Sequence, residues 1–106
     1  MPVVFAAHGA ITAFERTLAQ TLQAVGYTTA ISGKWHLGEK SPDYLPTKRG
    51  FDHQYGFMGG GINSFTHIGG GRRDAKAADW YRNDEKSEDT GYSMHLLAKE
   101  ACRLIR

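Results

Sequence analysis

The sequence has one cysteine, Cys102, and three prolines in 106 residues. A lone cysteine excludes an internal disulfide framework and a zinc site built on cysteines. No stretch approaches the roughly 20 consecutive apolar residues of a membrane span. Met1 to Ala10 holds no basic region and only a short apolar run, so it does not read as a signal peptide. Charge of one sign is also scarce. Lys and Arg number 13 against 11 Asp and Glu, a formal net charge of +2, which argues for neither nucleic acid nor a membrane surface. Without a signal or a disulfide, the compartment stays open.

What is present fits one small folded domain. Hydrophobic residues make up 41% and charged residues 23%, as in soluble globular chains rather than disordered ones. The 13 glycines fall mostly between Gly50 and Gly71, predicting a loop-heavy middle.

The pattern predicts an α/β arrangement of two helices and one clear strand. Thr12 to Glu15 has the S/T-x-x-E form of a capping box. The helix after it places Phe14, Leu18, Leu22 and Val25 on one face. Gly26 is suited to end it in a left-handed conformation. Tyr27 to Ser32, rich in β-branched and aromatic residues, reads as a strand. From Gly33 to about Asp79 regular structure is hard to see. Ser41-Pro42 and Leu45-Pro46 disfavour helix there, and Phe51 to Phe57 suits a short strand or an aromatic turn. Asp79 to Arg82 followed by Asn83-Asp84 suggests a small hairpin. Ser93 or Thr90 is placed to cap a final helix running to Arg106, with Leu97, Ala101, Leu104 and Ile105 as its apolar stripe. A connection of more than forty residues without clear elements is unusual in a compact domain, so it is either functional or part of something larger.

The densest chemistry lies in Gly33-Lys34-Trp35-His36-Leu37-Gly38. Residues two apart on an extended segment point the same way, which predicts Lys34 and His36 on one side and Trp35 on the other as an anchor. An ammonium beside an imidazole suits an oxygen-rich anion such as sulfate or phosphate. The same residues also suit a solvated lysine at a strand end and a histidine packed on Trp35. A nucleotide-binding P-loop is excluded, since it needs Gly at position 28 and Ser or Thr at 35, where Thr28 and Trp35 stand. His53 and His67, fourteen apart, make a weak metal signal and read better as surface or packed residues. His8 and His95 show no partners, and His95 reads as exposed. Gly69 to Arg73 reads as a solvated loop rather than a phosphate grip, because Asp74 follows at once. Cys102 reads as a small packed residue.

The run Gly33 to Gly38 resembles the G-K-W-H-L-G signature of the sulfatase family, arylsulfatases included. Thr17 to Gln20, Leu22 and Gly26-Tyr27 resemble the family helix and strand before it. Leu45-Pro46-Thr47-Lys48-Arg49-Gly50-Phe51-Asp52 is similar to the following L-P-x-x-x-G-F-D segment. Tyr55-Gly56-Phe57, Ser64 to His67, and Tyr92-Ser93 with the final helix continue in order. The resemblance implies part of a large α/β sandwich around a mixed sheet, of the alkaline-phosphatase-like kind, and hydrolysis of sulfate esters by the whole domain. It implies that Lys34 contacts the sulfate, that His36 hydrogen-bonds a hydroxyl of a hydrated formylglycine, and that His67 lines the substrate side. It also implies a divalent cation, usually calcium. The chain departs from the family in lacking C-x-P-S-R, the source of formylglycine, and the aspartate and Asp-Asn segments that hold the metal. Residues 1–106 are therefore expected to be a single, incomplete sulfatase domain, an internal piece with the remainder missing, inactive alone and binding neither calcium nor formylglycine. The alternatives are a non-catalytic anion-binding remnant and a truncated product without function.

Overall fold

Helix α1 (Leu18–Ala24) starts at Thr17, whose hydroxyl accepts from the Gln20 amide at 3.0 Å. Gln20 reciprocates, its side-chain oxygen accepting from the Thr17 amide at 2.8 Å. This is the capping box, one turn later than Thr12 to Glu15 suggest; Glu15 is not helical, and Thr12 to Phe14 lie outside the described residues. The Thr17 hydroxyl also donates to the Arg49 carbonyl at 2.6 Å, so a tertiary contact fixes the start. At the other end Gly26 takes φ +100°. Its amide donates to Gln23 O and that of Tyr27 to Leu22 O, the paired bonds of a Schellman stop. The computed structural model describes residues 15–39, 41–69 and 77–106.

The apolar face expected on α1 is corrected. Leu18 and Val25 are 75% and 70% exposed, and the buried residue is Ala19. The reason is a close backbone approach: a Cβ on Gly50 would lie 2.3 Å from the Gln20 nitrogen. Only the small-residue side of α1 fits against that glycine.

Strand β1 (Ala30–Lys34) begins three residues later than the composition suggests and runs into the lysine. It pairs in parallel with β2 (His53–Phe57), Ala30 opposite His53 and Lys34 opposite Phe57. The connection, residues 35–52, contains two 3-10 turns, Pro42–Tyr44 and Pro46–Lys48, each with proline at its start. The prolines thus exclude α-helix but not helical turns. Strands β3 (Tyr81–Arg82) and β4 (Glu85–Lys86) extend the sheet antiparallel, in the order β1-β2-β3-β4. Asn83 and Asp84 between them have φ +50° and +67°, as a two-residue hairpin turn requires. Among the described residues the sheet is therefore mixed and four-stranded, where the sequence shows one clear strand.

Helix α2 (Ser93–Ile105) packs on β1 and β2. Its N-cap is Tyr92, without a side-chain cap; Ser93 is buried as the first helical residue, and its amide donates to Ser64 O at 2.8 Å. Thr90 and Ser93 therefore do not cap it. Leu97, Ala101 and Leu104 are half-buried, but Ile105 is exposed and Glu100 is buried. Arg82 on β3 causes this, binding Glu100 at 2.8 Å and turning that side of the helix inward. Ser32 donates to Leu97 O at 2.8 Å from β1. Tyr55, Met58 and Trp80 fill the core, with Trp80 edge-on to Tyr55 at 5.3 Å and stacked on Phe57 at 6.4 Å. Cys102, expected to be packed, is exposed on α2.

Candidate active site

The turn after β1 is built from both sides. The Trp35 amide donates to Phe57 O and the His36 amide to Met58 O, each at 2.9 Å, so the β1–β2 pairing continues two residues past the strands. Trp35 is buried, edge-on to Phe51 at 6.0 Å. Its indole N–H donates to both Gly38 O and Tyr44 O at 3.0 Å. The expected anchor is therefore in place, and it ties the turn to the first 3-10 segment.

Lys34 ends β1 with its side chain exposed, and His36 is exposed as well. The extended-chain expectation is corrected at His36, whose φ is +54°. Strand alternation stops there, and a left-handed turn sets the direction of the imidazole. The ring lies against Gly60, where a Cβ would be 3.0 Å from Cε1 and 3.1 Å from Nε2.

Asp79, the start of the hairpin suggested by the sequence, supports this turn. It is 2% exposed, and its two carboxylate oxygens accept from Met58 N at 2.9 Å and Gly59 N at 2.8 Å. No local pattern marks it, because its partners lie twenty residues back. The Asp79 amide in turn donates to His67 O at 2.8 Å.

His67, expected on the substrate side, is 3% exposed with φ +61°. Its ring stacks on Trp80 at 4.3 Å, and Nε2 lies 2.8 Å from Gly91 O. His53 is half-buried in β2, and His95 is exposed with its ring edge-on to Tyr92 at 5.0 Å. His8 and residues 70–74 lie outside the described residues. A cleft of about 900 Å³ between the hairpin and α2 touches neither Lys34 nor His36. Its Arg82 and Arg103 are already paired with Glu100.

Among the described residues no group of three or more His, Cys, Asp or Glu could hold a metal ion. Cys102, exposed on α2 and followed by Arg103-Leu104, does not fit a formylglycine precursor. No helix among the described residues is long and apolar enough to cross a membrane.

A parallel strand pair that presents Lys and His in an anchored turn, with α2 packed on a mixed sheet, defines an α/β segment. No family model matches the chain. It is 42% identical over 92 residues to arylsulfatase J of Mus musculus, covering 84% of this chain and 15% of that protein. It is 47% identical over 87 residues to an arylsulfatase of Klebsiella aerogenes, covering 79% of this chain and 18% of that protein. The solved structure of Ps i-CgsB superimposes with a TM-score of 0.79 at 27% identity, over 94% of this chain and 24% of that one. The chain belongs to the sulfatase family, of which it carries one segment. It spans 15% and 18% of the length of these two curated relatives.

Proposed function

We propose that the chain supplies the sulfate-contacting Lys34 and His36 of a sulfuric ester hydrolase. Residues 1–106 are then one part of the catalytic domain, without turnover of their own. The observation that supports this best is the anchored turn. Trp35 and the β2 backbone fix the chain on either side of two exposed polar side chains. Lys34 offers a compact positive charge with three donors to anionic oxygens. A fixed cation near a sulfate stabilises the charge that grows on the ester oxygen as its bond to sulfur breaks. His36 offers a nitrogen that donates or accepts beside the same anion. His67, walled by Trp80 and Gly91, takes a supporting place behind the substrate side. The exposure of Leu18, Val25 and Tyr27 favours a domain that is larger than this segment.

The test combines activity and binding. The purified chain should show no hydrolysis of an aryl sulfate, while titrated inorganic sulfate should shift the resonances of Lys34 and His36. Lys34→Ala should weaken that binding about tenfold, the loss of one charge-assisted hydrogen bond. Turnover lost in Lys34→Ala would overturn the claim of inactivity. Absence of any sulfate-dependent shift at Lys34 and His36 would overturn the anion-contact reading.

A further inference from the structure

We propose that Asp79 is a positioning residue for His36, acting through the backbone of Met58 to Gly60. The inference rests on the reading of Lys34 and His36 as the anion-contacting pair.

Among the described residues His36 has two supports, and both belong to one turn. Its amide donates to Met58 O at 2.9 Å, and its imidazole lies against Gly60. That turn leaves the end of β2 beyond its pairing with β3, which ends at Gly56 opposite Tyr81. The Asp79 carboxylate takes the place of a further strand there, accepting the amides of Met58 and Gly59 at 2.9 and 2.8 Å. Asp79 is itself held, through its amide on His67 O and by the neighbouring Trp80, which has no exposed surface. A buried carboxylate between two backbone amides forms charge-assisted hydrogen bonds, stronger than neutral ones. The carboxylate thus fixes Met58 O, which sets the left-handed backbone at His36, and fixes Gly60, which sets the ring. Gly60 completes the device because a side chain there would occupy the space of the imidazole.

The experiment uses the isotopically labelled 106-residue chain without any anion. In the wild type, the amides of Met58, Gly59 and His36 should exchange with solvent as one protected group. A nuclear Overhauser contact should join His36 Hε1 to the Gly60 α-protons. Asp79→Asn keeps one accepting oxygen and should speed His36 amide exchange at least tenfold and weaken that contact. Gly60→Ala leaves Asp79 intact and should move the imidazole resonances while far-UV dichroism stays unchanged. Unchanged His36 signals in Asp79→Asn, or unprotected exchange of the His36 amide in the wild type, would overturn the proposal. The two claims fail separately. Sulfate binding with His36 indifferent to Asp79 removes the positioning role alone. A His36 that follows Asp79 in a chain that binds no sulfate removes the anion reading alone.

Discussion

Gly33 and Gly56 lie opposite each other in the parallel pairing of β1 and β2, and a Cβ on Gly56 would stand 2.2 Å from the Gly33 carbonyl oxygen. Gly56 also has φ +139°, a conformation that side chains rarely adopt. Gly56→Ala must therefore push β1 off β2 or strain the backbone. Overpacking and strain together should lower unfolding stability by about 3 kcal/mol. Urea unfolding measures it. Gly61→Ala is the comparison, since a Cβ there meets nothing within 4 Å. It should stay within about 0.5 kcal/mol of the wild type.

Trp35 carries a second prediction. Its indole N–H serves the carbonyls of Gly38 and Tyr44 together, which closes the turn beyond His36. Trp35→Phe keeps an aromatic ring against Phe51 but removes the donor. It should cost about 1–2 kcal/mol, because two carbonyls lose their partner. Exchange of the Leu37 and Gly38 amides should rise while that of β2 stays unchanged. Equal stability of Trp35→Phe and wild type in urea would show that the indole bonds do not hold this turn.

The parts legible in the sequence are those with local causes. The Schellman stop at Gly26, the Asn83-Asp84 hairpin and the course of α2 follow from residues within a few positions of each other. The Trp35 anchor was legible because strand alternation predicts it. What escaped depends on distant partners. The buried side of α1 is chosen by Gly50, and the inward turn of Glu100 by Arg82. Asp79 acts on amides twenty residues away. The direction of His36 escaped for a related reason. Its left-handed backbone is held by Met58 O, and nothing in the local sequence demands it.

Cys102 gives a third prediction. It is a free, exposed thiol on α2, open to reagent. Access rather than burial then sets its reactivity. A disulfide reagent such as dithionitrobenzoate should label the native chain at a rate within about tenfold of the urea-unfolded chain. Protection of the thiol by a hundredfold or more would mean that a neighbouring surface covers this side of α2.

Glu100 gives the pH dependence. Its hydrogen bonds to Arg103, with Arg82 beside it, hold its carboxyl down at about 2 from an ordinary 4.5. A carboxylate with a lowered folded-state pKa stabilises the fold fully above the unfolded value and loses that contribution as pH falls through the folded one. The window therefore runs from about 4.5 down to about 2. Glu100 is 7% exposed at its side chain, but Arg82 and Arg103 are 42% and 62% exposed, so solvent screens part of the interaction. The contribution at neutral pH should be about 1–2 kcal/mol. Asp52, held low by the Thr29 amide and by Gln23, adds a dependence of the same sign, while burial raises Asp84 and opposes it. The difference between wild type and Glu100→Gln isolates Glu100 from both. Urea unfolding at pH 7 and pH 3 should show a wider gap between the two proteins at pH 7. A gap that is the same at both values would mean that the arginine pair does not stabilise the charged form of Glu100.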